Sequence, residues 1–177
     1  MTARTHLVGG GLSAAILLEA SINADFGLSP VTVKDAAIIV VLAIIGSVFP
    51  DIDLNNSRLG STFAIISKFI NKVFGHRTFF HSPLLYITPV VLSSYYFPMA
   101  YIPLLGFSVG AMSHIILDYF NRAGVPLFWP VPMRFWFPAY IKTGSRAEML
   151  FQGILWTLLV ITVCQTVYHI FEGGVVL

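Results

Sequence analysis

Residues 83–117 include no Asp, Glu, Lys or Arg. A helical crossing of a bilayer takes about 20 mostly apolar residues, so this tract is too long for one crossing. Further apolar stretches cover 7–22, 36–49 and 149–168. Of the 177 residues, 56% are hydrophobic and only 10% are charged, with a mean hydropathy of +0.82. A soluble chain is about 25% charged. Too few charges exist to coat a surface facing water, which excludes a disordered chain and a coiled coil. The single cysteine, Cys164, excludes a disulfide scaffold. Lipid is the solvent that suits such a chain, and a helix satisfies its backbone there. The sequence therefore predicts an all-α fold, a single integral membrane domain over residues 1–177.

The 83–117 tract has a natural break at 97–103, where Pro98 and Pro103 stand. Proline disfavours helix at the residue before it, so the tract reads as a tight helical hairpin. That makes a bundle of about five helices. Arg4 ahead of the first stretch imitates a signal peptide. A cut after Ala24 would put Ile22 at the small-residue position, so the segment is expected to stay as a helix. Phe63, Ile66, Phe69, Ile70 and Val73 recur at helical spacing, with Lys68 and Lys72 elsewhere on the turn. That pattern predicts an interfacial amphipathic helix over 61–74. The stretch 127–138 holds Phe128, Trp129, Phe135, Trp136 and Phe137 among Pro130, Pro132 and Pro138. It is expected to form an aromatic, proline-rich loop at headgroup depth. Gly106 and Gly110 predict close approach of a second helix, and Gly9-Gly10-Gly11 predicts helix packing. Cys164, in an apolar run, is expected to be a small buried hydrophobe.

With five crossings, one side holds the N-terminus and the 50–82 and 118–148 loops. Arg4, Arg58, Lys68, Lys72, Arg77, Arg122, Arg134, Lys142 and Arg146 fall there, and Lys34 falls opposite. The bias predicts that the first side is cytoplasmic. No run of basic residues appears, so no nucleic-acid partner is expected.

The ionisable residues gather at that same side. His6 opens the first helix. Asp51 and Asp53 close the second in Pro50-Asp51-Ile52-Asp53. His76 and His81 lead into the third, and His114 and Asp118 end the fourth at i, i+4 spacing on one helical face. Ionisable groups near membrane depth are costly and tend to be functional. Imidazole and carboxylate together are a ligand set for zinc, manganese or iron. Four histidines and three aspartates suffice for one ion or for two. No thiolate takes part, and no G-x-S-x-G, H-E-x-x-H or P-loop is present.

These residues also carry a likeness. Thr5-His6 with the following glycines, Pro50-Asp51-Ile52-Asp53, His76-Arg77 with His81-Ser82, Ser113-His114 through Asp118, and the 124–130 stretch resemble the membrane-bound metal-dependent hydrolase family. That family is also described as LexA-binding, inner-membrane-associated hydrolases. The resemblance implies a multi-pass protein of a bacterial or archaeal inner membrane with metal-dependent hydrolase activity. It implies His6, Asp51, Asp53, His76, His81, His114 and Asp118 as metal ligands.

Two functions follow as expectations. One is a hydrolase acting on a membrane lipid or lipid-linked phosphoester at the cytoplasmic face, using Zn or Mn. Two metal ions can clamp the oxygens of a phosphoester. Asp53 then serves as ligand or general base, and Arg77 holds phosphate, because a guanidinium binds it through two hydrogen bonds. The surface helix and the aromatic loop would flank the entry. The other is a non-catalytic metal-binding membrane protein that transports, senses or scaffolds. A transporter keeps ionisable groups near mid-membrane, and Glu19, the one acidic residue deep in a helix, lies towards the far face.

Overall fold

The computed structural model describes residues 1–22, 31–75, 77–131 and 133–172. Ala24 and His76 lie outside the described residues. The described chain is a bundle of α1 (Ala3–Ile22), α2 (Val33–Gly46), α3 (Arg58–Thr62), α4 (Ala64–Phe74), α5 (Pro83–Tyr96), α6 (Pro98–Tyr119) and α7 (Arg146–Glu172). A 3-10 turn, Phe49–Asp53, continues α2. Among the described residues, four stretches are long and apolar enough to cross a membrane: Ala3–Ile22, Val33–Asp53, Pro98–Tyr119 and Arg146–Phe171.

The predicted third crossing forms, but it is short. α5 has 14 residues, about 21 Å at 1.5 Å per residue. The hairpin turn is also tighter than 97–103. It takes only Phe97, and α6 starts at Pro98. A proline at the first helical position loses no hydrogen bond and has its φ preset, so the break costs a single residue. Pro103 falls inside α6.

α2 starts with a capping box, in which the Thr32 side chain accepts from the Asp35 N–H and Asp35 answers the Thr32 N–H. Its other end packs along α6 through small residues. A Cβ on Gly110 would sit 1.9 Å from the Ala43 carbonyl oxygen, and one on Gly106 would sit 2.8 Å from Ile39 Cα. The Gly9-Gly10 pair serves the same end on α1. A Cβ on Gly10 would come within 2.5 Å of Ser47 Cβ, and one on Gly9 within 2.5 Å of Leu117. Contact between backbones replaces a large apolar core, as suits helices surrounded by lipid.

α7 packs chiefly on α1. Its outer side is therefore open, with Val160, Ile161 and Val163 exposed. Cys164 is exposed there too. This corrects the expectation of burial: an apolar run in a membrane helix with one main neighbour faces lipid over most of its circumference. At the far end His169 Nδ1 lies 2.6 Å from Glu19 Oε1, tying α7 to α1.

The 61–74 segment is helical, split between α3 and α4. Ile70 and Ser67 turn inwards, while Phe63, Ile65, Ile66, Phe69 and Val73 stay exposed. The 127–138 stretch is an irregular loop pinned across the end of α6. Val125 and Phe135 exchange both backbone hydrogen bonds at 2.9 Å, and the Phe137 and Ile141 N–H groups donate to the Tyr119 and Phe120 carbonyls. Those carbonyls are left over at a helix end and need donors. Gly124, at φ +65°, permits the turn, and a Cβ there would meet the Phe135 oxygen at 2.7 Å.

Candidate metal centre

The starts of α1, α5 and α7 and the ends of α2 and α6 meet at one end of the bundle. His6, Asp53, His81, His114 and Asp118 are fully buried there. Asp51 is the partial exception, with 18% of its side chain exposed. Arg77 lies over the cluster with a backbone φ of 56°, a left-handed conformation that costs a non-glycine residue roughly 1–2 kcal/mol. Two contacts hold it. Its backbone N–H donates to Asp53 Oδ2 at 2.9 Å, and its Nη2 lies 2.6 Å from Asp118 Oδ2.

Asp118 is the hub. Its Oδ1 accepts from the Met1 amino group at 2.7 Å and lies 3.5 Å from His6 Nε2. Its Oδ2 lies 3.8 Å from His81 Nε2 and 3.9 Å from His114 Nε2. The His6 and His114 rings stack with centroids 3.7 Å apart. Asp53 stands behind His81, with Oδ2 3.4 Å from Nδ1. A carboxylate so placed fixes the orientation of a ligating imidazole.

The state of His114 follows from its backbone partner. Its Nδ1 lies 2.7 Å from the Ser47 carbonyl oxygen. A carbonyl only accepts, so Nδ1 carries the proton and donates. Nε2 then presents a bare lone pair in the neutral ring. That lone pair is buried without a hydrogen-bond partner. It faces Asp51 Oδ1 at 3.7 Å, a group that itself only accepts when ionised, and Asp118 Oδ2 at 3.9 Å, which Arg77 Nη2 already approaches from the other side. Acceptors converging on buried space are costly unless a cation lies between them. The residues fit a divalent metal on this ground.

Two triplets place one ligand atom each within 4.8 Å of one another: His6, Asp51 and His114, and His81, His114 and Asp118. Both use His114. One imidazole lone pair serves one ion, so His114 joins either the outer group with Asp51 or the inner group with Asp118. Of the residues expected from sequence, six ligand candidates and Arg77 come together here. Asp53 stands outside both triplets. His76 lies outside the described residues.

Sequence reading missed two contributors. Glu148, at the start of α7, is buried and accepts from Thr2 N at 2.5 Å, Thr5 Oγ1 at 2.8 Å and Gly144 N at 2.6 Å. It holds the start of α1 beside His6. An acidic residue opening an apolar span was the available signal. The Ser47 carbonyl has no such signal, because a backbone group belongs to every residue.

No solved structure matches the chain. It is similar to YvsG of Bacillus subtilis (strain 168), 34% identical over 173 residues that cover 98% of each chain. It is also similar to the inner membrane protein YdjM of Escherichia coli (strain K12), 39% identical over 156 residues, which cover 84% of this chain and 76% of that one. The family model described as YdjM inner membrane protein matches residues 1–174. Several apolar helices and an inner-membrane family name agree on a multi-pass protein of that membrane, and the chain belongs to the YdjM inner membrane protein family.

Proposed function

We propose that this protein is a membrane-embedded, metal-dependent hydrolase acting on a lipid or lipid-linked phosphoester, with its centre facing the cytoplasm. The observation that carries the reading is the bare, buried Nε2 of His114 set against two carboxylates. His114 would hold the cation together with His6 and Asp51 or together with His81 and Asp118. A bound Zn or Mn supplies Lewis-acid charge for a phosphoryl oxygen and lowers the pKa of a bound water. Asp53 orients His81. Arg77 neutralises Asp118 through Nη2, while its Nε and Nη1, buried without hydrogen-bond partners, remain to bind a phosphate oxygen. The nine basic residues on the connections at this end support the cytoplasmic placement.

A non-catalytic metal protein is favoured by one observation, the complete burial of the inner triplet. A panel of lipid and lipid-linked phosphates, incubated with purified protein in detergent, separates the two. Chelation is expected to abolish phosphate release, and Zn²⁺ or Mn²⁺ to restore it. Asp51→Ala is expected to lower the rate roughly 10²–10³-fold, the usual loss when one electrostatic partner of a transition state is removed. In the same series, an Asn121→Cys variant should resist an impermeant thiol reagent added to intact cells. Metal-loaded protein that turns over none of the panel would leave the non-catalytic reading standing.

A further inference from the structure

A cavity of about 230 Å³ reaches Asp51 between α1, the 3-10 turn and α3. Its other walls are Ala3, Leu7, Val48, Leu59 and Thr62. Ser57 also lines it, but its hydroxyl is committed, donating to the Asp51 carbonyl and accepting from the Gly60 N–H. We propose that this cavity is the substrate pocket of the centre, and that it takes the small phosphate headgroup of a lipid phosphate monoester. The inference rests on the metal reading above.

Three features select that ligand. The cavity, at about 230 Å³, is smaller than the roughly 300–1,000 Å³ of ordinary small-molecule sites, which suits a phosphate and the first atoms of a glycerol. Its walls at Leu7, Val48 and Leu59 are apolar, which suits the start of a lipid tail. Among the described side chains that line it there is no Lys or Arg, and its floor is the Asp51 carboxylate. A phosphate entering the cation-free protein would therefore meet the Asp51 carboxylate. It binds when a cation sits on His6, Asp51 and His114, the outer of the two triplets. The exposed Phe63, Ile65 and Ile66 on the adjoining helices hold the mouth at the membrane surface, where lipid headgroups lie.

The test uses thiol labelling, which reads binding without catalysis. Cys164 is first replaced by serine. Leu59→Cys then places a thiol in the wall, Thr62→Cys places one at the exposed rim, and Val109→Cys is a control. Val109 lines a separate apolar cavity between α1, α5 and α6. Dioleoyl phosphatidate in mixed micelles is expected to slow methylthiolation at position 59 or 62 at least tenfold in zinc-loaded protein. It should not do so after chelation, nor at position 109, and dioleoyl phosphatidylcholine should not protect. Equal labelling with both lipids, or protection that survives chelation, would overturn the pocket. Protection without phosphate release upholds the pocket and overturns the hydrolase. Phosphate release that a benzylthio adduct at position 59 leaves unchanged overturns the pocket and leaves the hydrolase standing.

Discussion

Asp118→Ala, measured in metal-free protein, is expected to destabilise the fold by roughly 3–5 kcal/mol, the cost of leaving a buried charge uncompensated. Asp118 is fully buried and faces the Arg77 guanidinium at 2.6 Å and the Met1 amino group at 2.7 Å. Removing the carboxylate strands both cations, together with the Arg77 nitrogens that already lack partners. Adding Arg77→Met should recover much of the loss, because the stranded guanidinium goes with it. Unfolding midpoints of the single and double variants in detergent measure this coupling. A double variant as unstable as Asp118→Ala alone would show that the pair is not what holds the cluster together.

The second large effect is steric. Gly110→Val is expected to cost about 3 kcal/mol, the upper end for overpacking a tight contact. The nearest atom is the Ala43 carbonyl oxygen at 1.9 Å from a Cβ, and a backbone carbonyl cannot swing aside as a side chain does. α2 must move off α6, and Ser47 moves with it. The His114 hydrogen bond to the Ser47 carbonyl then lengthens, so metal content should fall although Gly110 is no ligand. Loss of a partner that orients a ligand typically lowers metal affinity about 10–100-fold. Gly153→Ala is the control. Nothing lies within 4 Å of a Cβ there, so the variant should gain about 0.5–1 kcal/mol from helix propensity. A stable, metal-replete Gly110→Val protein would contradict the proposed link between packing and centre.

These two residues mark how far the sequence was legible. Asp118 stood out because an ionisable group beside an apolar tract is an anomaly, and His114 four residues earlier fixed a shared face. The Gly106–Gly110 spacing likewise announced a close helix contact, and the structure names the partner as α2. What stayed hidden depends on three-dimensional neighbours. Cys164 was expected inside because its run is apolar, but apolarity in a membrane helix does not distinguish lipid from core. The break at 97–103 was overdrawn because Pro98 serves as a helix start and Pro103 is absorbed within α6. The sequence placed Asp53 two residues from Asp51 without distinguishing their surroundings. In the 3-10 turn those residues point to different neighbours, Asp53 to His81 and the Arg77 N–H, Asp51 to His114 and the cavity. The cavity beside α3 was not visible either, since Ala3, Leu7, Val48 and Leu59 have nothing in common until the fold brings them together.

The account stands on a metal ion in the buried His/Asp cluster, and elemental analysis of purified protein tests it most directly. At least one equivalent of a divalent transition metal per chain is expected in the unaltered protein. His114→Ala should lose most of it, since His114 belongs to both triplets. His169→Ala should keep it, since His169 pairs with Glu19 at the other end of the bundle. Protein free of metal after purification and after incubation with Zn²⁺ or Mn²⁺, or equal metal in His114→Ala and His169→Ala, would contradict it.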